Sequence, residues 1–182
     1  MKILRATHLG MCFGVRDAIA LATRHAANKP LTILGDLVHN ETVLSQLLSQ
    51  GVKIERQVVG ISTNTVMITA HGASERTLNH LRTKGRQVLE ATCPLVHFAH
   101  RSLVALVRDG CHPVIIGLRE HVEVRGMTED LCDFDVVLTQ EDVLKLAARP
   151  RFGVVAQTTQ PIEKVHRLVN LLRERFPQSE IR

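Results

Sequence analysis

The sequence predicts an α/β fold built from repeated small parallel-sheet modules. Three observations carry that prediction. Short apolar runs of strand length alternate with amphipathic helical segments along all 182 residues, the pattern of strands covered by helices. The apolar content is aliphatic: 45% of residues are hydrophobic, yet there are five Phe, no Trp and no Tyr, which suits parallel sheets packed between helices. A strand, a cysteine and a helix follow one another at Cys12 and again at Cys93, 81 positions on. The chain therefore reads as two modules, 1–92 and 93–182.

The elements follow in order. Lys2–Ala6 reads as a strand and HLGMCFG as a loop. Val15–Ala27 is expected to be a helix with Val15, Ile19 and Ala22 on one face. Leu31–Asp36 is a strand of the buried type. Glu41–Gln50 is a helix with Leu44, Leu47 and Leu48 inward and Gly51 as its stop. Thr65–Ala70 is a strand, Ser74–Lys84 a helix with Ser74 as N-cap, and Arg86–Glu90 a short strand. The cycle restarts with a helix over Leu95–Arg108, Pro94 suiting its first turn. Strands at Pro113–Gly117, Val136–Thr139 and Phe152–Ala156 follow, with a short helix at Gln140–Ala147. A last helix spans Pro161–Arg175.

Composition removes several function classes. Net charge is +5 with ten His, but the Lys and Arg are dispersed. This is a bias towards anionic ligands rather than a nucleic-acid arm. The scarcity of aromatics argues against base-stacking platforms. No signal peptide opens the sequence and no run of 18 apolar residues occurs, so a cytoplasmic protein without a membrane span is expected. In that compartment Cys12, Cys93, Cys111 and Cys132 are expected as metal ligands, catalytic groups or buried thiols rather than disulfides.

The repeat extends beyond the cysteines. LTILGDLVHNE and PVIIGLREHVE each run strand, loop, histidine, placing His39 and His121 82 positions apart. TVMITAHGAS ends its strand at His71, and FGVVAQTTQP ends its strand at Gln157, Thr158 and Thr159. Ligands of parallel α/β sheets bind at that edge, where helix N-termini present free N–H groups. Two facing modules would bring together two thiols, three imidazoles (His39, His71, His121), the Thr158 hydroxyl and the Glu123 carboxylate. Thiols without C-x-x-C spacing suit a metal cluster between modules better than a zinc knuckle. Imidazoles at helix N-termini suit a phosphate-like anion. The bland alternatives stand beside these. A lone cysteine or histidine at a strand end is commonly packing, and on residues alone Glu123 reads as a surface carboxylate in the charged run REHVEVR. Cys111 and Cys132 have no counterparts and read as structural. No G-x-G-x-x-G follows the first strand, so a Rossmann-type nucleotide site is not expected.

The segments GMCFGV, VHNETV, TAHG, EATCPLV, HVEVRG and AQTT occur in that order over almost the whole chain. Together they resemble the signatures of the 4-hydroxy-3-methylbut-2-enyl diphosphate reductase (LytB/IspH) family. The resemblance implies a trefoil of three α/β modules around an iron–sulfur cluster held by three cysteines, one per module, with one iron open to substrate. It implies Cys12 and Cys93 as cluster ligands and His39, His71 and His121 as diphosphate ligands. Glu123 would deliver protons and Thr158 would orient the substrate hydroxyl. The implied reaction is the two-electron reductive dehydroxylation of an allylic diphosphate in isoprenoid biosynthesis by the methylerythritol phosphate route, with electrons from a ferredoxin or flavodoxin. A cluster with an open iron degrades readily, so [4Fe-4S], [3Fe-4S] or no cluster is consistent with the pattern.

The resemblance also implies a third cysteine beyond Arg182, after RFPQSEIR, where a further strand is expected to begin. Three readings of that are open: a fragment of a longer reductase, a two-module protein completed by a separate third-module chain, or a homodimer sharing one cluster. A non-redox module that binds a diphosphate without a complete cluster site is the alternative function. Val122 and Arg125 stand where Pro and Glu are commoner in the family, and Met11 where Phe is.

Overall fold

The computed structural model describes residues 3–4, 10–38 and 40–182. The elements are α1 (Phe13–Ala26), β1 (Leu31–Leu34), α2 (Glu41–Ser49), β2 (Lys53–Glu55), β3 (Thr65–Ile68), α3 (Glu75–Thr83) and β4 (Gln87–Glu90). They continue with α4 (Pro94–Arg108), β5 (His112–Ile116), α5 (Val122–Thr128), β6 (Asp135–Val137), α6 (Gln140–Leu144), β7 (Arg151–Ala156), α7 (Ile162–Arg175) and β8 (Glu180–Ile181). Two four-stranded sheets result, ordered β2-β1-β3-β4 and β6-β5-β7-β8. Every strand pair is parallel. The repeat seen in the sequence is thus a repeat of topology, with a 3-10 turn at Val58–Gly60 standing where α6 stands in the second half.

Both faces of each sheet are covered, which is why the central strands read as continuous apolar runs. All four residues of β3 are buried. Leu31, Ile33 and Met67 pack with Ala18 and Ala22 of α1 and Leu47 of α2. Val66 and Ile68 pack with Leu78 and Leu81 of α3. In the second sheet Ile115 and Val155 meet α4 and α5 through Ala99, Leu103, Val124 and Met127. Val114, Ile116 and Phe152 meet Val143 of α6 and Leu168 and Leu172 of α7. Successive strand residues point to opposite faces, so Val114 and Ile115 belong to different cores.

Several expectations change. Lys2, Arg5 and Ala6 of the expected first strand lie outside the described residues, and Ile3 and Leu4 are exposed and not in a strand. Leu48 faces solvent rather than the core, because it lies about 100° round the helix from the buried Leu47. The HVEVRG segment, to which the sequence assigned no helix, forms α5. His121 caps it, its Nδ1 accepting from Glu123 N at 3.2 Å, and Arg125 N donates to His121 O at 2.9 Å. Helical spacing then delivers Val124 and Met127 to one core. The C-terminal stretch holds the fourth strand of the second sheet, Phe152 pairing with Ile181, rather than the start of a new unit. No described helix is long and apolar enough to cross a membrane.

Candidate active site

The cysteines stand at equivalent helix starts. Cys12, extended in backbone, is the N-cap of α1 and Cys93 the N-cap of α4, and neither makes a side-chain cap bond. A helix start leaves its first N–H groups without intrahelical partners, so each thiol shares a position with a positive dipole end. The two helix starts converge. A Cβ built on Gly14 would lie 2.9 Å from Cys93 Sγ and 3.1 Å from Cys93 Cβ, so only glycine leaves that thiol its place. Cys93 is held from the other side by its N–H, which donates to Ala70 O at 2.9 Å. Cys12 is exposed and Cys93 half-buried; Cys111 is buried, its Cβ facing Gly153, and Cys132 is exposed.

The Cys93–Ala70 bond places His71 next to Cys93 in the chain path. His71 N lies 3.3 Å from Thr69 Oγ1 and donates to it, and Gly72 N donates to Thr69 O at 3.1 Å. This turn needs Gly72, whose φ is +79°. Across from it stands His121, N-cap of α5. The two imidazoles meet edge to face with ring centroids 5.4 Å apart at 89°. His39 lies outside the described residues. Asn40 beside it caps α2, its Oδ1 accepting from Val43 N at 3.1 Å.

Glu123 is not the surface carboxylate its charged surroundings suggest. It is 1% exposed. Thr158 satisfies both of its oxygens: Thr158 N donates to Oε1 at 2.7 Å and Thr158 Oγ1 to Oε2 at 2.9 Å. Thr158 itself is exposed, so its hydroxyl stands between the buried carboxylate and the open edge of the sheet. Cys12, Cys93, His71, His121, Glu123 and Thr158 therefore all stand at the C-terminal ends of strands or at the helix starts beside them.

A family model described as "LytB protein" matches residues 3–182. The chain belongs to the LytB family. It is 35% identical over 183 residues to the 4-hydroxy-3-methylbut-2-enyl diphosphate reductase of Dictyoglomus thermophilum, covering 100% of this chain and 65% of that protein. It is 35% identical over 172 residues to the enzyme of the same name from Geotalea daltonii, covering 93% of this chain and 61% of that one. The solved structure of the E-1-hydroxy-2-methyl-but-2-enyl-4-diphosphate reductase from Plasmodium falciparum superposes with a TM-score of 0.87 at 26% identity, covering 95% of this chain and 56% of that one. A structure of (E)-4-hydroxy-3-methyl-but-2-enyl diphosphate reductase, described as the terminal enzyme of the non-mevalonate pathway, gives 0.84 at 32% identity, covering 99% and 66%. The chain thus spans between 56% and 66% of the length of these relatives.

Within this LytB chain two residues that the motifs contain, but to which the sequence assigned no role, support the site. Gln157 is 4% exposed. Its Oε1 accepts from Leu118 N at 3.0 Å and its Nε2 donates to Thr159 Oγ1 at 2.8 Å. It ties the loop carrying His121 to the end of β7 that carries Thr158. Its place in AQTT, one residue before Thr158, was the available signal. Gly14 is the other, and its signal was its place two residues after Cys12 in GMCFGV.

Proposed function

We propose that this LytB chain carries two thiolate ligands and the diphosphate-binding and proton-handling side chains of a 4-hydroxy-3-methylbut-2-enyl diphosphate reductase. The observation that carries the reading is the convergence of the two N-cap cysteines, with Gly14 packed on Cys93. The names of the relatives support the substrate and reaction. The division into modules 1–92 and 93–182 belongs to the same reading and is supported by α4 packing on the second sheet. A cytoplasmic location belongs to it as well.

The donor set fits an iron–sulfur cluster in kind, since soft thiolates at helix starts suit it. In number it is partial: among the described residues no group of three His, Cys, Asp or Glu side chains is placed to hold a metal ion. A third donor would come from a further segment, a second copy of the chain or a separate chain. When bound, the cluster, as [4Fe-4S] or after iron loss as [3Fe-4S], supplies the electrons, which a ferredoxin or flavodoxin replenishes. His71 and His121, with His39, hold the diphosphate, because imidazole is a cationic or neutral donor near neutral pH. Thr158 Oγ orients the substrate hydroxyl. Thr158 Oγ donates to Glu123 Oε2 along the 2.9 Å hydrogen bond; once Glu123 Oε2 carries a proton that bond reverses, and Thr158 takes the proton from Oε2 while giving its own hydroxyl proton to the departing oxygen. Two electrons and two protons are consumed: the C–O bond breaks, one proton leaves with the oxygen as water, and the electron pair left on the allyl group takes the other proton to form the new C–H bond.

Iron and acid-labile sulfide per chain after anaerobic reconstitution test this. Cys12→Ser and Cys93→Ser should abolish retention while circular dichroism stays that of the folded chain, and Cys111→Ser should retain the wild-type amount. Equal loss from all three would remove the assignment. A second reading, a non-redox diphosphate-binding module, rests on His71 and His121 alone, whose rings stand together and need no thiolate to hold an anion. Pyrophosphate binding by a chain that retains no iron would establish it.

A further inference from the structure

The two imidazoles of the candidate site sit on different sheets, and something must hold them in register. His71 follows β3 of the first sheet, and His121 follows β5 of the second. Directly behind them a set of cross-module hydrogen bonds closes the joint. Asp130 Oδ2 accepts from Glu75 N at 2.7 Å and Asp130 Oδ1 from Arg76 N at 3.0 Å. Glu129 Oε2 accepts from Ser74 Oγ and, at 3.2 Å, from Thr77 Oγ1. All four donors belong to the N-cap and first turn of α3. The carboxylates thus occupy the end of α3 where free N–H groups and the dipole favour negative charge.

We propose that Glu129 and Asp130 are positioning residues, gripping the N-terminus of α3 from the far end of α5 and so setting the spacing of His71 and His121. The linkage is short on both sides. α5 runs from its N-cap His121 to its C-cap Glu129, so the grip and the ring are the two ends of one rigid helix. On the other side, two residues, Gly72 and Ala73, separate His71 from the α3 N-cap Ser74, three chain steps in all. They include the turn at Gly72, and that stretch can span only about 10 Å even when extended. Between the ends, the backbones approach closely: a Cβ built on Gly126 would lie 3.6 Å from Ala73 Cα. A shift of α3 relative to α5 therefore moves His71 against His121. Neither carboxylate lies in the six recognised segments, and both residues are exposed, so removing them leaves the cores intact. The inference rests on the proposed function only for what the rings bind; the register itself is a property of the joint.

The test uses the whole 182-residue chain. Nuclear Overhauser contacts between the ring protons of His71 and His121 report the register, and calorimetric titration with inorganic pyrophosphate reports the site. Glu129→Ala/Asp130→Ala should lose the ring-to-ring contact and weaken pyrophosphate binding by about ten-fold, the loss of one or two charged caps. Asp130→Asn keeps one acceptor oxygen and should fall between. Asp142→Ala, which breaks a cap on α6 away from the joint, should lower stability yet leave both readouts at wild type. A ring contact that persists in the double variant would overturn the proposal, as would an equal loss in Asp142→Ala. Should the double variant fail to fold, Asp130→Asn decides by the same readout. A wild-type chain that shows the ring contact but binds no pyrophosphate would refute the diphosphate reading and leave the positioning role standing.

Discussion

Gly14 is where a single hydrogen atom decides the geometry of the candidate cluster site. Replacing it with alanine adds a methyl group 2.9 Å from Cys93 Sγ, closer than real Cβ contacts allow. Two effects oppose. Alanine is favoured over glycine inside a helix by about 1 kcal/mol, and overpacking costs about 1–3 kcal/mol. Gly14→Ala should therefore destabilise the fold by no more than about 2 kcal/mol while displacing the Cys93 thiol. The urea midpoint should fall by about 1 M or less. The alkylation rate of Cys93, followed by peptide mass spectrometry, should change several-fold, and iron retention should fall. Unchanged alkylation and unchanged iron together would mean that the thiol has another rotamer to occupy at no cost. Cys111 too faces a glycine, Gly153, but as a buried residue that caps no described helix.

At the scale of elements, the most completely capped helix is among the shortest. The five-residue α6 carries a full capping box: Thr139 Oγ1 accepts from Asp142 N at 3.3 Å, and Asp142 Oδ2 accepts from Leu138 N and Thr139 N, both at 2.9 Å. Those backbone donors hold the Asp142 carboxyl below its ordinary value of 3.8. A carboxyl with a depressed folded pKa contributes stability that is present above the ordinary value and lost as pH falls through the folded one. Asp142→Ala should cost about 1–2 kcal/mol at neutral pH, and the gap from wild type should close on acidification below 3.8. Urea midpoints across that range measure it. The capped and strongly periodic helices were legible in the sequence for this reason: Ser74 and Pro94 announce α3 and α4 by local chemistry alone. The elements that were not legible lack such signals. β2 and β8 are three and two residues long and exist because a neighbouring strand offers its edge. α5 alternates polar and apolar residues like a strand and becomes helical only because His121 caps it and a core waits for Val124 and Met127. The same limit applied to the site. Cysteines and histidines at strand ends were readable from the repeat and the family resemblance, whereas the burial of Glu123 depended on Thr158, 35 positions away.

Over the whole molecule, two sheets of the same strand order meet at a joint that carries charge as well as shape. His100 of α4 is wedged in it. A Cβ on Gly72 would come 3.8 Å from its Nε2, and one on Gly126 would come 3.6 Å from its Cε1. Nε2 is buried without a hydrogen-bond partner, so protonating the ring would place an unpaired charge between the two halves. Burial accordingly holds His100 below the ordinary imidazole value of 6.5, with His97 acting in the same direction and Asp130 opposing. The unfolded chain therefore binds the proton more readily than the folded one. Stability is fully present above 6.5 and declines as pH falls towards the folded value. His100→Gln, which cannot titrate, should lose less stability between pH values on either side of 6.5 than wild type does. Asp130→Ala should steepen the wild-type decline, because it removes the one carboxylate that favours the charged ring. Urea midpoints measured across that interval for the three proteins decide the matter. Parallel slopes would place the titration outside the joint. A steeper slope in Asp130→Ala would show that the carboxylate gripping α3 also sets how strongly the fold loses stability as pH falls.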